Sequence, residues 1–143
     1  MSDCTRRQFH ALVAAGGAAL LLPSCGKGAS FDGSVTPSGG KAVLGFGDFP
    51  ALAGVGGSAV VDVQSSFPIV VLRTAEAAAV ALSATCTHQF CIMHAQGSSM
   101  IRCDCHRAEF SLSGDVLSGP TNIPIPTYAA TVGSDAITVD IGS

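Results

Sequence analysis

From Lys41 onward the apolar positions fall in short runs of strand period, cut by Gly, Pro and small polar residues. Ala42 to Phe46 alternates weakly. Ala59-Val60-Val61-Asp62-Val63 follows a Gly56-Gly57 turn, and Ile69 to Arg73 starts directly after Pro68. Ala78 to Ser83 reads as a strand, although six Ala between Ala75 and Ala84 also suit a short helix. Further on, Glu109 to Leu112 precedes a turn at Ser113-Gly114 and a short run at Val116-Leu117. Gly119-Pro120, Pro124 and Pro126 then break the pattern. Two last strands, Tyr128 to Val132 and Ala136 to Ile141, are joined by Gly133-Ser134-Asp135. Many short strands with this punctuation predict an all-β domain, an antiparallel sandwich or barrel. No internal repeat is visible in the sequence.

The first forty residues follow other rules. Thr5-Arg6-Arg7-Gln8-Phe9 precedes a run of twelve uncharged residues from Ala11 to Leu22, shorter than the ~20 a spanning helix needs. A basic start, an apolar run and a small residue before a break describe an export signal over residues 1–24, and Thr-Arg-Arg-Gln-Phe resembles the twin-arginine type. Leu22-Pro23-Ser24-Cys25 is similar to a lipobox, with Pro23 out of pattern, so Cys25 is the expected lipidation site and mature N-terminus. Residues 25–40 are mostly Gly, Ser, Lys, Asp, Thr and Pro and read as a tether. Fifteen such residues span roughly 21 Å on average and about 50 Å at full stretch. The expected location is extracytoplasmic (periplasmic) and membrane-anchored, with the folded domain over 41–143.

Composition narrows the class. At 143 residues, 48% apolar, 12% charged and formally −3, the chain is large enough for one core and too apolar to be disordered. It carries no Lys/Arg stripe and no aromatic-basic platform, which argues against nucleic acid.

The chemistry is concentrated between Cys86 and His106. Cys86-Thr87-His88-Gln89-Phe90-Cys91 and Cys103-Asp104-Cys105-His106 contain four of the six cysteines and two of the four histidines. Cys86-x-His88 and Cys103-x-x-His106 offer two thiolates and two imidazoles, which suits a two-iron cluster whose potential is raised by imidazole ligation. A four-coordinate zinc could be built from the same residues. Either choice leaves two thiols over, and in an oxidising compartment neighbouring thiols pair as a disulfide. His10 lies in the signal. His94 lies between the boxes, on an expected exposed strand or hairpin, with no assigned role.

Cys-x-His-x-x-Cys followed by Cys-x-Cys-His resembles the Rieske iron–sulfur family, in particular its disulfide-containing branch from quinol-oxidising cytochrome bc-type complexes. Phe110-x-x-x-Gly114-Asp115-Val116 and Gly119-Pro120, which resembles the family's proline loop, extend the likeness over about 41–143. The resemblance implies an antiparallel β-sandwich or barrel base with an inserted cluster-binding subdomain near 84–119. It implies one [2Fe-2S] cluster, with Cys86 and Cys103 on one iron, His88 and His106 on the other, and a Cys91–Cys105 disulfide. His88 and His106 would couple electron to proton transfer. The implied activity is a membrane-associated one-electron carrier that accepts from quinol and passes electrons to a c-type cytochrome, beside a cytochrome b-type subunit. Other readings are the small subunit of another exported oxidoreductase, such as an arsenite-oxidase-like enzyme, or a stand-alone periplasmic ferredoxin. A zinc-stabilised binding lipoprotein is the non-redox reading.

The chain departs from the family around the boxes. Phe90 replaces a Gly usual in box one. Arg107-Ala108 and Phe110 stand where bc-type relatives carry Gly-Ser and a Tyr, whose hydroxyls donate to the cluster's sulfurs. Losing both donors predicts a reduction potential below that of Ser/Tyr-bearing relatives, while Arg107 and Asp104 act in opposite directions and are screened by water.

Overall fold

The computed structural model describes residues 30–142, so the expected export signal and Cys25 lie outside the described residues. The chain forms eleven strands among the described residues: β1 Gly33–Val35, β2 Lys41–Gly45, β3 Ser58–Val63, β4 Ile69–Ala75, β5 Ala78–Ser83, β6 His94–Gln96, β7 Met100–Arg102, β8 Glu109–Ser111, β9 Val116–Ser118, β10 Thr127–Val132 and β11 Ala136–Asp140. One short 3-10 turn, Pro50–Ala53, joins β2 to β3. Seven strands form one sheet in the order β1-β3-β4-β5-β10-β11-β2, and its two edges, β1 and β2, lie against each other so that the sheet nearly closes. The other four, β6-β7-β8-β9, make a small sheet of successive antiparallel hairpins. The all-β architecture expected from the strand pattern is present.

Alternation explains the edges of the large sheet. β2 buries Ala42 and Leu44 while Lys41 and Val43 face water, and β11 buries Ile137 and Val139 opposite them. The central strands lose that alternation: β4 is buried continuously from Ile69 to Arg73, as a strand covered on both faces must be. Two apolar clusters result. One, with Leu44, Leu52, Val61 and Ile137, fills the large sheet. The second, with Val60, Val70, Leu82, Met93, Ile101 and Phe110, lies between the large and small sheets and includes Cys86 and Cys103. The Ala-rich stretch is strand β5, because pairing with β4 and β10 outweighs the helix propensity of Ala.

The stretch expected as a tether over 25–40 contains a strand: β1 pairs in parallel with β3, Gly33 opposite Val61, and Asp32 exchanges bonds with Val60 through its backbone N–H and its carboxylate. Gly-Ser-Val carries too little side-chain pattern to announce a strand. The sheet therefore also has one parallel pair in an otherwise antiparallel frame. The small strands β6 and β7 form the hairpin on which His94 was expected, with His94 half-buried at its start.

Arg73 is the polar keystone of the base. Buried at 7% exposure, its guanidinium donates to the carbonyls of Leu52, Ala53, Ala75 and Glu76 and lies 5.3 Å from the Phe46 ring. It satisfies the end of the 3-10 turn and the β4–β5 hairpin together. Its ion pair with Glu76, at 3.8 Å, adds little because Glu76 is 93% exposed. Arg73→Met should therefore lower unfolding free energy by about 2–4 kcal/mol, the cost of stranding several buried carbonyls. A urea midpoint unchanged from the parent chain would contradict this role.

Candidate metal centre

Box one is the tip of a hairpin closed by the Thr85–Ile92 bridge, and box two is the tip of the β7–β8 hairpin closed by the Arg102–Glu109 pair. The loops between those closing pairs, 86–91 and 103–108, are built alike. Cys86 N–H donates to Cys91 O at 2.9 Å and Cys103 N–H to Ala108 O at 2.8 Å. Cys86 O accepts from Phe90 N–H at 2.9 Å, and Cys103 O accepts from Arg107 N–H at 2.9 Å. The donors in the second pair sit in left-handed conformation, Phe90 at φ 58 and Arg107 at φ 60. The chain therefore contains a local repeat invisible in its letters, because backbone hydrogen bonds carry it and only the leading Cys is common to both copies.

Each loop points its first sulfur inward. Cys86 is fully buried and Cys103 is 1% exposed, both in the cluster with Met93, Ile101 and Phe110. Burial pushes the Cys86 thiol above its ordinary range. The N–H groups of His88 and Gln89 pull the other way, while the neighbouring Cys103 sulfur adds to the rise. The histidines are more open to water than the two thiols. His88 is half-buried, His106 is exposed, and their rings meet edge to face with centroids 4.7 Å apart. Cys91 and Cys105 form a disulfide that joins the two loops. All six residues singled out from the sequence are thus brought to one end of the domain, and His94 stands apart from them on β6.

The donor set fits a cationic metal group. The two buried thiols lie in an apolar cluster, where full negative charge is costly without a cationic partner such as a metal. The Nδ1 atom of His88 is buried and makes no hydrogen bond, which is costly for a ring nitrogen unless it is a ligand.

A third loop supports the pair. Thr87 Oγ1 donates to Ile123 O at 2.8 Å and lies 3.2 Å from Thr121 Oγ1, strapping box one to the proline-rich segment 119–126. Gly119, at φ +112, runs so close to box two that a Cβ there would lie 2.5 Å from Ala108 Cα. The sequence signalled this loop only as Gly-Pro punctuation. Beside box one, a groove of about 180 Å³ is lined by Phe67, Thr85, Cys86, Phe90 and Tyr128 among others, and Phe90 itself is 79% exposed.

Residues 52–129 match the Rieske [2Fe-2S] domain family. Cytochrome b6-f complex iron-sulfur subunits of Chlorobaculum tepidum and Chlorobaculum thiosulfatiphilum are 37% identical over 62 residues and 35% identical over 60 residues. These alignments take in 43% and 41% of this chain but 34% and 33% of the relatives, so the chain spans about a third of their length. The plasma membrane Rieske protein of Synechocystis PCC 6803 superposes with a TM-score of 0.53 at 28% identity, over 67% of this chain and 94% of that one. A complex of reduced oxygenase and oxidized ferredoxin in carbazole 1,9a-dioxygenase shares the fold, at TM-score 0.54 and 22% identity over 60% and 90%.

The left-handed positions give a direct test. Non-glycine residues there cost roughly 1–2 kcal/mol each, and glycine returns part of that as chain entropy. Phe90→Gly and Arg107→Gly should each raise stability by about 0.5–1 kcal/mol, read from denaturant midpoints; a loss at both positions would contradict the geometry. Gly119→Ala should act oppositely, displacing the proline-rich segment and lowering stability by about 1–3 kcal/mol with reduced iron content on purification.

Proposed function

Because the chain belongs to the Rieske [2Fe-2S] family, we propose that it is a proton-coupled one-electron carrier of the bc type, with Cys86 and Cys103 holding one iron and His88 and His106 the other. The observation that carries this reading is the difference in burial at the site: a buried thiol pair beside an imidazole pair that is half-buried at His88 and exposed at His106. A [2Fe-2S] cluster, when bound, supplies a one-electron couple whose potential imidazole ligation raises. The remaining tasks fall to the protein. Cys86 and Cys103 place negative charge in an apolar surround, where it requires a metal partner. His88 uses its buried Nδ1 toward the metal and keeps Nε2 to hold a proton, so that an electron and a proton can leave a donor together. Phe110 and Ala108, both fully buried, exclude water without offering a hydroxyl. The Cys91–Cys105 bond keeps the two loops face to face, and supports the bc-type branch over ferredoxin-type members, which usually lack these cysteines.

The donor in this reading is quinol and the acceptor a c-type cytochrome, with a cytochrome b-type subunit as the docking partner. The likeness to cytochrome b6-f iron-sulfur subunits supports that choice. Membrane association would come from the N-terminal segment through Cys25, and the cluster-binding subdomain would be about 84–119. No helix among the described residues is long and apolar enough to cross a membrane.

Loaded with iron, the protein should be red-brown with an anisotropic reduced EPR signal, whereas the same residues around zinc would give a colourless protein. Its midpoint potential should fall with rising pH in the alkaline range, approaching about 59 mV per unit for one proton per electron. A potential independent of pH up to pH 10 would contradict the proton-coupled role. The Ala108→Ser, Phe110→Tyr double variant should titrate higher, by roughly 40 mV for each hydrogen bond worth ~1 kcal/mol. No shift would remove the hydroxyl account of a low potential.

A further inference from the structure

The disulfide and one of the two inner thiols share a pocket of sulfur. The Sγ atoms of Cys91, Cys103 and Cys105 all lie within 4.8 Å of one another. Cys103 is a free thiol whose sulfur lies within 4.8 Å of both sulfurs of an existing disulfide, close to the ~3–3.5 Å of a reactive approach. It needs no second molecule to meet its target.

We propose that Cys103 is the resident nucleophile of an internal thiol–disulfide exchange, which operates whenever no metal engages its sulfur and which retires the site by consuming a ligand. The Cys103 thiol gives up its proton and its sulfur attacks Cys91 Sγ. The Cys91–Cys105 bond breaks, a Cys91–Cys103 bond forms, and Cys105 leaves as the thiolate that takes up the proton. Electrons balance within the three sulfurs, so no oxidant or reductant is required. The direction follows from exposure. Cys105 is exposed and Cys91 half-buried, so the departing anion enters water when Cys105 leaves and meets a partly apolar surround when Cys91 leaves. Cys86, the other free thiol, is absent from this mutual sulfur contact and is not the attacking group.

The outcome is directional for the protein. Metal on Cys103 occupies the attacking sulfur and preserves the loop-bridging disulfide. Loss of metal frees that sulfur, moves the bridge and places a thiol at the exposed tip. Only the protection by metal rests on the reading of Cys103 as an iron ligand; the exchange rests on the sulfur geometry.

Disulfide mapping tests this on the full chain. Iron-loaded protein and protein stripped by a chelator under argon are alkylated without denaturant, then digested and analysed by mass spectrometry. The stripped chain should lose its Cys91–Cys105 peptide and gain a Cys91–Cys103 peptide with alkylated Cys105, at a rate independent of protein concentration. The loaded chain should keep Cys91–Cys105. In the stripped state, Cys103→Ser should abolish Cys105 alkylation, and Cys86→Ser should leave the exchange intact. Retention of Cys91–Cys105 as the sole bridge after stripping overturns the proposal, as does Cys105 alkylation that persists in Cys103→Ser. A colourless, zinc-loaded protein that exchanges on stripping would instead sink the iron–sulfur reading and leave the exchange standing.

Discussion

Two buried cysteines are held in one apolar cluster at the tips of separate hairpins, and much of this molecule serves that constraint. A thiol pair buried in an apolar cluster is an unfavourable place for charge, so it functions only if both loops stay closed around whatever neutralises them. Closure is over-determined. Each loop is pinned at its base by a strand pair and internally by two backbone hydrogen bonds, the disulfide links the tips, and Thr87 ties box one to the proline-rich segment. Gly119 lets that segment lie on the Ala108 backbone, where any side chain would hold it off. The large sheet provides the fixed end: box one follows β5 almost at once, and β5 is paired on both sides.

In the proposed reading the same closure would separate electron from proton transfer: Cys86 and Cys103 are buried in the apolar cluster, whereas His88 is half-buried and His106 exposed. Arg107 and Asp104 are exposed, so their opposed fields are damped, and the buried residues clustered with the two cysteines, Met93, Ile101, Ala108 and Phe110 among them, are apolar.

How much of this was legible in the sequence depended on which atoms carried the information. Side-chain pattern announced the long strands, so Ile69 to Arg73 was found as a strand and extends only to Ala75. Side-chain chemistry announced the six Cys and His positions, because a thiol or imidazole at close spacing has few other uses. Features held by the backbone were silent. β1 reads Gly-Ser-Val and exists through pairing with β3, and the repeat between the two boxes lies in hydrogen bonds that any residue can make. Arg73 was also silent, since a lone Arg ending an apolar run gives no sign that four carbonyls from two segments converge on it.

Phe90 and Arg107 join these threads. They occupy equivalent places in the two loops, both in the left-handed region, and both replace glycines usual in bc-type relatives. Neither offsets the conformational cost by packing: Phe90 is 79% exposed, and Arg107 is exposed with no ion pair among the described residues. A cost of this kind persists only where surrounding structure over-determines the backbone. Here each residue's N–H is fixed by the carbonyl of the Cys that opens its loop, and the tips are joined by a covalent bond. The clamp that keeps the thiols together is therefore also what lets the tip carry a large aromatic and a cation where glycine would be the relaxed choice. Because Phe90 and Arg107 lie largely in water, an advantage from these side chains would act through what the tip meets.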